Sequence, residues 1–229
     1  MKQIIIYVCA LFASLTFFSC SQDEEIYSCD KGINDWVKEN LIDIQQMDRN
    51  DWLQLDESVS RAAYAAFTPE QKFLFWKEKI TEVLALDWNE QEKQHIDLLY
   101  ETISNNPQWF ATDFRKNEEE LEMLELFEYK WIENAKDILG WDMIIIGAIA
   151  ASGNKMLNTK GELQIKSTIR LKDRSEGSCN CNTYWYAGES CGTSGGKYMY
   201  CSTSPKTCVK PLKDNCGFFL NKPCNGLCQ

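Results

Sequence analysis

The cysteines near the end of this chain have the most restrictive chemistry of any residues in it. The residues between them are mostly Gly, Ser, Thr, Asn and Pro, so burial of apolar surface cannot stabilise the segment by itself. We therefore predict a small disulfide-rich domain over residues 179–229, whose pairing the sequence does not determine. Its cysteines are Cys179, Cys181, Cys191, Cys201, Cys208, Cys216, Cys224 and Cys228.

Other chemistries for these cysteines and for the acidic residues find little support. The pair Cys179 and Cys181 lacks the C-x-x-C spacing of zinc ribbons and of thiol oxidoreductases, and no histidine lies near it. The one histidine, His95, has no nucleophile motif to serve and is predicted to be structural. Carboxylates crowd residues 118–120, as expected in the first turn of a helix. We predict no enzyme activity, no metal and no cofactor.

Aromatic and basic residues of the tail could carry recognition. Tyr184, Trp185, Tyr186 and Tyr198 lie among polar neighbours, as side chains that stack on sugar rings often do. A glycan on the surface of another cell is therefore one candidate ligand. The alternative is that these aromatic residues form the small core of the tail.

The distribution of arginine suggests a cleavage site before the tail. All five basic residues in 179–229 are lysine, whereas the last arginines of the chain are Arg170 and Arg174. A polar stretch follows at 172–178, of the kind that proteases cut. An arginine-specific protease would thus release the tail intact, and 154–178 is interpreted as a β-hairpin followed by a cleavable linker.

The N-terminus predicts export. Residues 4–18 form an apolar run that is short for a membrane-spanning helix and typical of a signal peptide over 1–19. Ser19 and Cys20 end the run like a bacterial lipobox, and an acidic stretch follows. We expect lipidation at Cys20, an export tether over 20–29 and a membrane-anchored lipoprotein at the outer-membrane surface. The alternative is simple secretion with Cys20 free or paired, and the role of Cys29 stays open.

Charge is divided along the chain, whose formal net charge is −10. Residues 20–153 carry 12 basic and 29 acidic side chains, a net charge of −17. Residues 154–229 carry 11 basic and 5 acidic side chains, a net charge of +6. The acidic part could shield the basic tail, or both could simply be solvated surfaces of opposite sign. We predict no nucleic-acid partner.

Helical periodicity and caps organise residues 30–153. Thr68-Pro69-Glu70-Gln71 predicts a capped helix to about residue 86, Asn89 with Glu92 predicts the next, and Asn117 a long one ending before Gly140. The apolar stretch 141–151 favours a core helix or buried strand over a membrane-active segment. Residues 156–171 alternate as in a β-hairpin. The fold class is mainly α: an antiparallel helical domain, a short β-hairpin and the disulfide-rich C-terminal domain.

A lipoprotein-type leader, a Trp-rich helical part and a tail that opens Cys179-Asn180-Cys181 resemble the bacteriocin fulvocin C-related proteins of Bacteroidota. The resemblance implies an antibacterial toxin that acts on the envelope of related bacteria. Its expected partners are an activating arginine-specific protease and a surface receptor such as a lipopolysaccharide glycan. Two alternatives stay open: a non-toxic surface lipoprotein that binds glycan or protein through its tail, and a protease-inhibitor or immunity protein.

Overall fold

A computed structural model describes residues 25–28, 30–164 and 216–222, together with the backbone of four short strands in the tail. The described part is mainly helical, in agreement with the predicted helical domain. Its α-helices are α1 (Lys31–Glu39), α2 (Leu41–Ile44), α3 (Arg49–Trp52), α4 (Glu57–Ala65), α5 (Pro69–Leu84), α6 (Glu90–Asn105), α7 (Glu118–Asp137) and α8 (Met143–Ala150). Short 3-10 turns span Pro107–Phe110, Phe114–Lys116 and Phe218–Leu220.

The predicted helix starts are confirmed by their hydrogen bonds. Thr68 Oγ1 accepts from the Gln71 backbone N–H at 3.2 Å, and Gln71 Oε1 accepts from the Thr68 N–H at 3.0 Å. Asn89 and Glu92 make the same reciprocal pair at the start of α6. Asn117 caps α7, and Gly140 follows that helix with a φ of +68°, where glycine avoids the strain of a side chain. Local sequence therefore fixes where α5, α6 and α7 begin.

The buried face of α5 differs from the predicted one. Helical spacing predicts a buried face made of Phe73, Leu74, Trp76, Ile80, Val83 and Leu84. In the structure Leu74 is 49% exposed, whereas Phe75 is buried at 2% exposure. Every residue from Phe73 to Trp76 is apolar, so periodicity could not fix the centre of the face. The observed face contains Phe75, Trp76, Lys79, Ile80 and Val83. A lysine is thus part of the buried face of α5.

Helix α8 is the core helix expected from the apolar stretch 141–151. Asp142 accepts from the Ile145 backbone N–H at 3.0 Å and so caps the helix. Residues 146–150 are all buried against the other helices. Among the residues that the structure describes, no helix is long and apolar enough to cross a bilayer.

Strand structure is sparse within the described residues. Met156 and Leu163 form a single antiparallel bridge around a turn in which Gly161 has a φ of +82°. The predicted hairpin over 156–171 is otherwise untested, because residues 165–171 lie outside the described part. In the tail, β1 (Thr193–Ser194) pairs antiparallel with β2 (Lys197–Tyr198), and β3 (Cys201–Thr203) with β4 (Gly226–Cys228).

Candidate functional site

The C-terminal segment 216–222 lies in the core of the helical domain. Phe218, Phe219 and Leu220 are 1%, 0% and 3% exposed and belong to the same apolar cluster as the helices. The division into a helical domain ending at 153 and a separate tail from 179 stays a prediction. The structure adds that one part of the tail shares its core with the helices.

The backbone of this segment is held in an unusual conformation. Phe219 and Leu220 have φ angles of 53° and 51°, in the left-handed region that side chains other than glycine disfavour by roughly 1–2 kcal/mol per residue. Gly217, just before them, has a φ of 68° that glycine adopts without strain. Two such residues in succession persist only where surrounding contacts impose the conformation.

Two donors from the helical domain meet the carbonyl oxygen of Phe219. Tyr64 Oη of α4 donates to it at 2.9 Å, and Trp76 Nε1 of α5 lies at the same distance of 2.9 Å. Trp76 Nε1 also lies 2.9 Å from Tyr64 Oη, so the three groups form one buried network. Burial raises the pKa of Tyr64 well above its usual value, although the bond from Trp76 opposes the shift. The phenol is therefore a neutral donor at every physiological pH.

Aromatic rings from three parts of the helical domain surround the two phenylalanines. The Phe219 ring lies 5.2 Å from that of Trp76 and 6.0 Å from that of Phe110, measured between centroids. The Phe218 ring lies 5.9 Å from Trp131 and 6.4 Å from Phe127, both on α7 and both edge-on. Tilted and edge-on pairs at these distances add specific attraction to simple burial.

Polar contacts close both ends of the segment. Lys222 Nζ lies 2.8 Å from each carboxylate oxygen of Glu128, whose side chain is only 6% exposed. Asn221 Nδ2 donates to the Trp109 carbonyl at 2.9 Å, and Arg115 donates to the Asn221 carbonyl. At the other end, Cys216 is buried and disulfide-bonded.

We call this binding surface the tail groove and define it by the residues of the helical domain that contact the segment. They are Arg61, Tyr64, Trp76, Trp109, Phe110, Arg115, Phe127, Glu128 and Trp131. The groove combines an apolar aromatic floor with one buried carboxylate at its rim. It therefore suits an apolar peptide that ends in a cation.

A second buried polar cluster fixes the chain where it leaves α8. Arg49 donates to the Gly153 carbonyl from Nε at 3.2 Å and from Nη2 at 3.0 Å, and pairs with Glu82 at 3.0 Å. Lys79 Nζ donates to the Asn154 carbonyl at 2.6 Å. Burial, the largest cause, and the nearby Arg49 charge together lower the pKa of Lys79 to about 7, although the Glu82 carboxylate opposes the shift. The start of the predicted hairpin-and-linker region 154–178 is thus anchored from inside the domain.

His95 packs against α7. Its ring stacks on that of Trp131 at 4.7 Å, and Nε2 lies 3.0 Å from the Trp131 carbonyl. Trp131 Nε1 donates in turn to the His95 carbonyl at 3.1 Å. Burial lowers the pKa of His95, while the hydrogen bond to Trp131 opposes the shift. The ring is therefore a packing element between α6 and α7.

Most predicted site residues lie outside the described part of the chain. They are Cys20, Arg170, Arg174, Cys179, Cys181, Tyr184, Trp185, Tyr186, Cys191, Cys208 and Cys224. In the strands, Cys201 faces Cys228 across β3 and β4, and Tyr198 faces Thr193 across β1 and β2. Of the predicted disulfide cysteines, Cys216 is described and bonded.

Sequence reasoning missed the tail groove, although a signal was present. Phe218 and Phe219 are the only phenylalanines after Phe127. Phenylalanine has no polar atom and is usually buried, so two in succession within a polar tail indicate an apolar partner outside it. The partner is the helical domain.

No group of histidine, cysteine and carboxylate side chains within the described ranges could hold a metal ion. Comparison with known proteins gives no matching family model, no matching curated protein and no matching solved structure.

Proposed function

We propose that the chain is the precursor of an antibacterial toxin, in which the helical domain holds a disulfide-bonded tail until proteolysis activates it. The observation that carries the proposal is the insertion of residues 216–222 into the tail groove. A segment of the tail is thus a ligand of the helical domain. A helical domain that retains the tail before cleavage would be expected to bind it in this way.

The division of charge supports the same relation. The part that contains the groove has a net charge of −17, and the part that contains the tail has a net charge of +6. The Glu128–Lys222 pair is a direct contact between these two parts. Because Glu128 is almost fully buried, this contact is screened far less by salt than a surface pair would be.

The proposal includes several features beyond the described residues. The signal peptide and lipidated Cys20 would place the protein on the outer-membrane surface, from which the tail could leave the cell once it has separated from the helical domain. Residues 156–171 would form a hairpin, and the cysteines of 179–229 would stabilise the tail. Cleavage after Arg170 or Arg174 would activate the protein. The aromatic residues Tyr184, Trp185, Tyr186 and Tyr198 would contact a glycan receptor on the target cell.

A growth-inhibition assay tests the proposal. Three purified samples are added to related strains. They are the untreated native protein, the native protein treated with an arginine-specific protease, and the variant Arg170→Gln/Arg174→Gln treated with the same protease. We expect inhibition only from the treated native protein. The matched control is Lys172→Gln, which removes a charge between the two arginines and should leave cleavage and inhibition unchanged.

Other outcomes would reject the toxin. Binding to cells without inhibition of growth would identify a non-toxic surface module. Inhibition of the added protease would identify a protease inhibitor. Full inhibition of growth by an uncut double variant would show that arginine-directed cleavage is not the activating step.

A further inference from the structure

We infer that cleavage in the linker does not release the tail, because the tail groove keeps the two products together as a non-covalent two-chain protein. The inference rests on the proposed function, since it concerns the product of that cleavage. It adds a partner to the groove: the tail fragment itself, recognised through residues 216–222.

The position of the cuts relative to the groove is the first step. Arg170 and Arg174 precede the inserted segment by more than forty residues. Cutting there breaks the covalent path from α8 to the tail but touches none of the contacts of residues 216–222. Both halves of the interface therefore remain intact after the chain is cut.

The apolar contacts give the second step. Phe218, Phe219 and Leu220 are together almost fully buried, and each would expose its side chain to water on leaving the groove. Burial of such a side chain stabilises by about 1.5–3 kcal/mol, which corresponds to roughly a tenfold to hundredfold change in affinity for each residue. Three adjacent residues of this kind form a compact centre of binding energy.

The polar contacts give the third step, because withdrawal of the segment would break a buried ion pair and two hydrogen bonds to one carbonyl oxygen. Glu128 would lose the ammonium group that lies 2.8 Å from both of its oxygens. Tyr64 and Trp76 would lose the carbonyl on which they converge. Loss of hydrogen bonds and of an ion pair at buried groups is costly, so these contacts favour the associated state.

The backbone conformation of the segment opposes association. Phe219 and Leu220 occupy the left-handed region, which a free peptide would leave. The apolar and polar contacts must therefore outweigh this cost for the two chains to stay together. Separation of the two chains is then a distinct step after cleavage, and the holder remains bound until that step occurs.

The experiment uses the full chain with a recognition site for a sequence-specific protease inserted after Lys172. The variant Cys29→Ser provides the background, so that no disulfide from Cys29 can link the two products. After cleavage, gel filtration under native conditions and fluorescence titration of a labelled tail measure association. Circular dichroism verifies that the helices persist. We expect the two chains to elute together at micromolar concentration.

Three variants locate the interaction. Phe219→Ala should weaken association by roughly a hundredfold or more, and Lys222→Met by roughly tenfold or more. Lys222→Met keeps the side chains of Phe218, Phe219 and Leu220 in place, so it provides the test if Phe219→Ala does not fold. Tyr129→Ala removes an aromatic ring that is 56% exposed on α7, outside the groove, and should not change the affinity.

Two results would overturn the inference. One is separation of the native chains immediately after cleavage while the helices remain folded. The other is native affinity in both Phe219→Ala and Lys222→Met. The inserted site is cut without an arginine-specific protease, and association is measured without a killing assay. The result therefore stands even if the proposed toxin function is wrong.

Discussion

The buried lysine of α5 gives a prediction about stability and pH. Lys79 is fully buried, and its pKa in the folded protein is about 7 rather than the usual value near 10.5. The unfolded chain therefore binds a proton between about pH 7 and 10.5 that the folded chain does not. Since the unfolded state binds more protons in this range, the free energy of unfolding rises with pH there. Lys79 thus destabilises the protein most at pH 7 and below.

The magnitude follows from the shift. A difference of one pKa unit is worth about 1.4 kcal/mol, so Lys79 costs about 4 kcal/mol at pH 7 and about 1 kcal/mol at pH 10. Lys79→Met removes this cost but leaves the Asn154 carbonyl without its donor, a loss of about 1–3 kcal/mol at any pH. The variant should therefore be more stable than the native protein at pH 7 and less stable at pH 10.

The assay is urea denaturation followed by tryptophan fluorescence at several pH values from 6.5 to 10. The native protein should gain about 3–4 kcal/mol relative to Lys79→Met between pH 7 and 10. The matched control, Lys130→Met, removes an exposed lysine on α7 and should differ from the native protein by about 0.5 kcal/mol or less throughout. A pH-independent difference between Lys79→Met and the native protein would refute the reasoning.

Two further predictions concern close contacts in the core. Gly153→Ala should destabilise by about 1–3 kcal/mol in urea denaturation, because its new Cβ would lie 2.4 Å from the Phe75 ring; a stability equal to that of the native protein would show that the ring moves freely. Tyr64→Phe should cost about 1 kcal/mol by the same measurement, since Trp76 still reaches the Phe219 carbonyl; a loss above about 3 kcal/mol would show that the phenol carries the whole network.

Local signals predicted the helical domain well because helix ends are short-range problems. The caps at Thr68, Asn89 and Asn117 need only residues within three positions of the helix start. The burial of α8 followed from an apolar stretch bounded by Gly140 and Gly153, which no solvated helix would have.

The buried positions on α5 were harder to predict because they depend on which neighbours pack against it. Lys79 is accommodated in the core because its ammonium group donates to the carbonyl of Asn154, which follows α8, and is attracted by the carboxylate of Glu82. Glu82 is close to Lys79 on the same helix, but the Asn154 carbonyl lies 75 residues away along the chain, so the local pattern does not reveal it. Charge in a sequence predicts exposure, and only the folded chain reveals the exceptions.

The tail groove, too, depends on long-range contacts that local sequence does not reveal, and these contacts bear on the proposed function. The tail was expected to be stabilised by its own cross-links, because its polar composition cannot supply a core. Its apolar residues Phe218, Phe219 and Leu220 are buried in the core of the helical domain, a contact that the prediction did not include. These three residues would be exposed to water whenever the tail separated from the helices. In the proposed toxin, the same three residues that keep the precursor together would become an exposed apolar patch on the free tail, available to a target envelope only after the groove has released them.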